Sequence, residues 1–195
     1  QAERVMAACR DCGAREVRAA RDEAERQLLW KGRKSAFGAY GHISPAYMVM
    51  DGVIPRTRLP EVLRRINEIA VAHGLRVGNV FHAGDGNLHP NILYDPRVPG
   101  EEARVVAAGG EILKVCADVG GSISGEHGIG LEKADYMSLI FTETDLDYMR
   151  RLRDAFNPRN LCNPGKIFPS RKACGESGPA YRPHPIEEKG LAERF

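Results

Sequence analysis

His82-Ala83-Gly84-Asp85-Gly86-Asn87-Leu88-His89 sits between two apolar runs, Val77 to Phe81 and Asn91 to Tyr94. Asp-Gly between such runs is a strong hairpin signal, because a type I′ turn needs positive φ at both central residues. With Asp85-Gly86 as the turn, Gly84 faces Asn87, Ala83 faces Leu88, and His82 faces His89. The two imidazoles then share one face of the hairpin, with Cβ atoms roughly 5 Å apart. Two ligands of one metal ion can use that spacing. A polar hairpin with two half-exposed histidines fits the same eight residues, and both readings stand at this point.

On either side of the hairpin the pattern is helical. Leu59, Val62, Leu63, Ile66, Ile69 and Ala70 form one apolar stripe, with Thr57 as N-cap, Pro60 in the first turn and Gly74 as the stop. Glu101 to Val119 is a second helix, with Val105, Ile112, Cys116 and Val119 on its stripe and Gly109-Gly110 weakening its interior. Upstream, Ala46 to Ile54 reads as one buried strand closed by Pro55. Asp22 and Glu25 resemble a capping box for a helix carrying Leu28, Leu29 and Trp30, preceded by a short strand at Glu16 to Ala20. The chain opens on a helix, Ala2 to Cys12, whose Cys9 and Cys12 lie on its apolar stripe and read as core packing. Thr144 with Asp147 suggests a cap for a last helix that reaches Phe156. Helices alternating with strands and a hairpin predict an α+β fold, ferredoxin-like, with helices packed on one face of an antiparallel sheet.

Hydrophobic content of 43% and charged content of 28% over 195 residues are those of an ordinary globular protein with one substantial core. Net charge is +2 with acids and bases interspersed, so nothing points to nucleic acid or a membrane surface. No apolar run approaches the ~18 residues of a membrane span. Five cysteines without framework spacing fit a reduced, cytoplasmic protein. The chain starts at Gln1 directly in a helical pattern, which suggests a piece of something longer. After Pro169 the hydrophobic pattern stops, and residues 170–195 read as a polar tail.

Gly120 to Gly130 holds five glycines in eleven residues, with Glu126-His127 among them. So many glycines let a backbone approach a neighbour closely. Glu126 supplies the carboxylate that two histidines lack, since two imidazoles and one carboxylate with open positions is a common catalytic metal set. His127 should point away from its neighbour, as an acid or base beside that metal. Arg33 is a candidate for bidentate capture of a carboxylate, with Lys34, Arg56 and Lys166 as weaker ones.

Five strings resemble the C-terminal domain of FAD-linked oxidases: WKGRKSAFGA from Trp30, DGVIPRTRLPEV from Asp51, FHAGDGNLHPNILYD from Phe81, SGEHGIGLEK from Ser124 and LCNPGKIFP from Leu161. That group holds glycolate oxidase flavin subunits and D-lactate and D-2-hydroxyglutarate dehydrogenases. The resemblance covers residues 1–169. It implies FAD, held mainly by an N-terminal FAD-binding domain absent from these residues, and a divalent metal (Zn, Mn or Fe). By the same resemblance His82, His89 and Glu126 match the metal ligands, His127 the histidine beside flavin and substrate, and Arg33 the arginine on the substrate carboxylate. Asn163 to Lys166 resembles a segment close to the flavin, which makes Asn163 and Lys166 cofactor-binding candidates. Phe37 and Val49 stand where the hydroxyglutarate enzymes carry an assisting threonine and lysine, which favours a small monocarboxylate. Companion flavin and iron-sulfur subunits are implied as partners, in the cytoplasm or peripherally at the inner membrane.

The resulting expectation is a substrate-binding domain of a flavin-dependent 2-hydroxy-acid dehydrogenase, inactive as this piece alone. Arg33 would hold the carboxylate, the metal would acidify the 2-hydroxyl, and His127 would take its proton while hydride passes to FAD. Two rival classes remain open on the residues: a metal-dependent hydrolase on the same two histidines and glutamate, and a non-catalytic interaction module using the polar tail.

Overall fold

A computed structural model describes residues 1–169, so the tail reading falls outside the described residues. The helices are α1 (Ala2–Asp11), α2 (Glu23–Lys34), α3 (Ala36–Tyr40), α4 (Leu59–Ala72), α5 (Glu101–Asp118) and α6 (Glu143–Phe156). The strands are β1 (Ala46–Val49), β2 (Gly52–Val53), β3 (Arg76–Asn79), β4 (Asn87–Leu88) and β5 (Pro90–Tyr94). Short 3₁₀ turns cover Arg56–Arg58 and Ala134–Leu139. β5 lies between β1 and β3 in an antiparallel sheet, while β2 pairs with β4 beside it.

The fold is α+β. β1 leads through α4 to β3, a hairpin returns as β5, and α5 follows, which is the split β-α-β order of ferredoxin-like folds. Where a fourth strand would lie, the chain makes only a bridge from Ser122 to Val53. α4 and α5 pack together and against β3 and β5 on one face of the sheet. Val62 and Ile66 of α4, Ile92 of β5, and Val105, Ile112 and Leu113 of α5 are buried there in one cluster. The interior glycines of α5 serve that closeness rather than weakening it. A Cβ on Gly109 would meet Met50 Sδ at 3.0 Å, and one on Gly110 would meet the Tyr136 hydroxyl at 2.5 Å.

Local expectations are corrected in several places. Ala46 to Ile54 is not one strand: it breaks at Met50-Asp51 into β1 and β2, because the buried Asp51 carboxylate must turn toward donors. Glu16 to Ala20 forms no strand. Asp22 does cap α2, accepting from the Glu25 N–H, but the Glu25 carboxylate turns to the Arg21 N–H instead of closing a reciprocal box. Thr57 is no cap; it lies inside the 3₁₀ turn that leads into α4. The reciprocal box stands at α6, two residues earlier than expected, between Thr142 and Asp145. Among the described residues α1 has no buried side chain, so Cys9 and Cys12 pack in no core here.

Candidate metal and substrate site

The hairpin forms, in another register. β3 and β5 pair Val77 with Ile92 and Asn79 with Pro90, and the ladder continues to a bridge between His82 and Asn87. The turn is a four-residue loop in which the His82 carbonyl accepts from the N–H groups of Asp85 and Gly86. Only Gly86 of the Asp-Gly pair has positive φ, at 74°, so the two-residue type I′ turn is not used. Relative to the expected pairing the shift is two residues, and a shift of two keeps every side chain on its face. His82 and His89 are therefore diagonal neighbours rather than opposite ones, with ring centroids 5.5 Å apart and planes at 84°.

The glycine-rich loop brings Glu126 between them. Glu126 Oε1 lies 2.9 Å from His89 Nε2 and 3.9 Å from His82 Nε2. Ligating atoms of these three residues lie within 4.8 Å of one another. A tetrahedral ion with bonds of ~2.1 Å separates its ligands by about 3.4 Å, so this donor set fits a divalent metal after small side-chain adjustments. His127 does not point away as expected: its ring stacks on His89 at 4.9 Å and 11°, with Nε2 3.8 Å from Glu126 Oε1. The His89 ring is nearly enclosed while His82, Glu126 and His127 are half open to the outside.

Arg33, in the last turn of α2, reaches the same place. A cavity of about 320 Å³ is lined by Arg33, Phe37, Val49 and Val80 together with His82, His89, Glu126 and His127. Lys34 does not line it, and Arg56 instead donates to the Gly84 carbonyl and braces the hairpin loop. Asn163 and Lys166 are not brought to the cavity. They sit in the loop after α6, where Arg153 donates to the carbonyls of Cys162, Asn163 and Lys166. One backbone bond, from the Ile167 N–H to the Gly130 carbonyl at 2.7 Å, ties that segment to the glycine-rich loop.

Beneath the site lies a pair that the sequence reading passed over. Asp51 and Lys133 are both buried, and Lys133 Nζ lies 3.1 Å from the Asp51 carboxylate. Burial alone would raise the Asp51 pKa. The His127 N–H, the Ser124 hydroxyl and Lys133 outweigh it and hold the carboxyl far below the usual range. The available signal was a single Asp inside the apolar run Ala46 to Ile54. Cys116, against Gly52, is the opposite case: burial pushes its thiol up to about 12, so it is inert packing.

Comparison with known proteins places the chain in a family. Residues 1–167 match the family described as FAD linked oxidases, C-terminal domain. The chain belongs to that family. It is 50% identical over 182 residues to glycolate oxidase subunit GlcD of Escherichia coli (strain K12), covering 93% of this chain and 36% of the relative. Glycolate oxidase subunit GlcD of Bacillus subtilis (strain 168) is 37% identical, covering 85% of this chain and 35% of the relative. The D-lactate dehydrogenase of Archaeoglobus fulgidus (strain ATCC 49558 / DSM 4304 / JCM 9628 / NBRC 100126 / VC-16) is 32% identical, with 86% and 36% covered. The chain thus spans about a third of the length of these relatives.

Proposed function

We propose that this chain is the substrate-binding domain of a flavoprotein that oxidises a small 2-hydroxy monocarboxylate, of the glycolate or D-lactate kind, to the 2-oxo acid. The observation that carries the reading is the shared cavity, lined by the Arg33 guanidinium together with three histidines and a glutamate. Arg33 pairs with the substrate carboxylate through two N–H donors, which fixes the acid in one orientation. That orientation leaves the 2-carbon and its hydroxyl to the histidines and Glu126. His127, which lines the cavity, accepts the hydroxyl proton. Phe37, Val49 and Val80 are the apolar part of the lining, and no second Lys or Arg lines the cavity among the described residues. A second substrate carboxylate would therefore lie unpaired against apolar side chains, which selects against dicarboxylates.

FAD, bound mainly by a further domain of the longer protein, supplies the hydride acceptor. A divalent cation (Zn, Mn or Fe) held by His82, His89 and Glu126 supplies Lewis acidity toward the substrate oxygen. Asn163 and Lys166 face the flavin in this reading, and the tie from Ile167 to Gly130 supports it by linking their loop to the one carrying His127. Companion flavin and iron-sulfur subunits would take the electrons onward, from the cytoplasm or the inner-membrane surface. No helix among the described residues is long and apolar enough to cross a membrane.

The test uses the full-length flavoprotein. His127→Asn keeps a polar group of similar size and removes the proton acceptor. Metal and FAD content should persist, while stopped-flow flavin reduction at saturating hydroxy acid slows by about 10²-fold or more. His82→Ala should lose metal by elemental analysis. Wild-type reduction in His127→Asn would remove that residue from the chemistry, and wild-type metal content in His82→Ala would remove the metal assignment.

A further inference from the structure

Asp51 lies where the chain leaves one sheet for the other, wholly buried, and it lines no part of the cavity. Its carboxylate nevertheless collects the loop that carries two of the proposed site residues. The Ser124 hydroxyl donates to it at 2.9 Å, and the N–H groups of Gly125, Glu126 and His127 donate at 3.0, 3.3 and 3.0 Å. Lys133 Nζ donates to the same carboxylate at 3.1 Å and to the Asp51 carbonyl at 3.0 Å. Three consecutive backbone N–H groups on one oxygen pair fix the peptide planes of 125–127. The directions in which Glu126 and His127 leave the backbone are fixed with them. The approach depends on glycine. A Cβ on Gly121 would strike the Val53 carbonyl, and one on Gly125 would meet the Asn87 amide at 2.6 Å.

We propose that the buried Asp51–Lys133 pair is the positioning unit of the site, holding the 124–127 loop so that Glu126 meets His89 and His127 faces the cavity. This rests on the reading of Glu126 and His127 given above. Asp51 also lies with His89 and His127 in a group whose ligand atoms are within 4.8 Å of one another, so a metal-ligand role is the rival. The neighbouring charge decides against it. Three N–H groups, a hydroxyl and the Lys133 ammonium converge on Asp51 Oδ2, and a cation at Oδ1, which faces His89 Nδ1 at 4.0 Å, would sit beside the Lys133 charge. Positioning through charged hydrogen bonds to the backbone explains both the burial and the lysine. A carboxylate at this depth needs a counter-charge, and Lys133 supplies it without touching the cavity.

The experiment uses the full-length flavoprotein. Asp51→Asn alone leaves the Lys133 ammonium buried without its partner and can simply unfold the domain. The double variant Asp51→Asn with Lys133→Met removes both charges at near-constant shape and keeps the question open to measurement. Amide exchange in α5 reports whether the domain is folded. With α5 protected as in wild type, exchange at 125–127 should rise at least about tenfold. Flavin reduction at saturation should slow at least about tenfold, while KM stays within about threefold because Arg33 is untouched. A pair that merely supports the fold would move stability and leave this KM-against-kcat split flat. A folded double variant that reduces flavin at the wild-type rate, or keeps 125–127 protected, overturns the proposal. His127→Asn measured in parallel separates the two readings: if it too works at the wild-type rate, the fault lies with His127. Exchange at 125–127 then decides alone whether Asp51 and Lys133 order the loop.

Discussion

Leu88, Pro90 and Ile92 alternate with Asn87, His89 and Asn91 along one stretch of chain, and all six are buried. The odd-even difference sends them to opposite faces. Leu88 and Ile92 join the cluster formed with α4 and α5. Asn87, His89 and Asn91 look the other way, and each keeps one buried polar atom without a hydrogen-bond partner: Oδ1, Nδ1 and Oδ1. Burial is equal and chemistry is opposite. A buried polar atom left unpaired costs stability, and such groups are few in native proteins. Three in a row fall on the face that the proposed site uses, with the apolar side offsetting their cost.

The largest expected effect tests the apolar side. Ile92→Ala removes a fully buried side chain of β5 from the core cluster it shares with α4 and α5 and should cost about 2–5 kcal/mol. Amide exchange of α5 in the full-length protein reads that change as a lower opening free energy. A loss below about 1 kcal/mol would mean that the stability of this face does not reside in the cluster.

The next tests the other side, where substrate binding should change and stability should not. Arg33 is exposed, on a helix with no buried residue, so its replacement disturbs no packing. It makes a charge-assisted contact to the substrate in the proposed reading, and such hydrogen bonds contribute roughly 1.5–3 kcal/mol. Arg33→Ala should lower kcat/KM for the hydroxy acid at least about tenfold, since 1.4 kcal/mol is a factor of ten. Unchanged kinetics would move the carboxylate to another cation and dissolve the functional contrast between the two faces.

How much of this could be read from the sequence follows the same division. The stripe of α4 and the hairpin were legible because apolar periodicity and turn residues act over a few positions. The register was not: Asp85-Gly86 suggests a two-residue turn, but Gly86 alone takes positive φ and a longer loop forms. The histidines still meet because a two-residue shift preserves the face. Guanidinium chemistry made Arg33 a candidate and family resemblance gave it the substrate carboxylate, but nothing local says that α2 reaches the hairpin histidines. Asp51 and Lys133 stayed hidden because the partners are 82 positions apart, a separation that no local pattern records. Half-buried Cys9 in α1 and exposed Cys12 just past its end differ from the core expectation for a related reason: a stripe shows which face is apolar, not whether anything in the described chain covers it.

The smallest effect separates the cavity from the loop that holds Asn163 and Lys166. α6 buries only Leu146, and its guanidiniums, notably Arg153, hold the carbonyls of that loop. Its start depends on Thr142, whose hydroxyl accepts from the Asp145 N–H while the Asp145 carboxylate accepts from the Thr142 hydroxyl and N–H. Those bonds, the hydroxyl first, hold the Asp145 pKa below the ordinary carboxylate value. A depressed carboxylate stabilises the fold above its unfolded pKa, and the contribution disappears as pH falls through the folded one. The cap therefore acts at neutral pH and weakens in acid. Thr142→Ala should loosen α6 by on the order of 1 kcal/mol at neutral pH. In acid the gap between variant and wild type should narrow in part, because protonation weakens the bond from the Thr142 hydroxyl to the Asp145 carboxylate while the Asp145 N–H still donates to that hydroxyl. Exchange of the α6 amides measures both. If Asn163 and Lys166 serve the flavin, the variant should weaken FAD retention slightly while KM for the hydroxy acid stays put. A matching rise in KM would show that the loop after α6 and the Arg33 cavity are one mechanical unit rather than two.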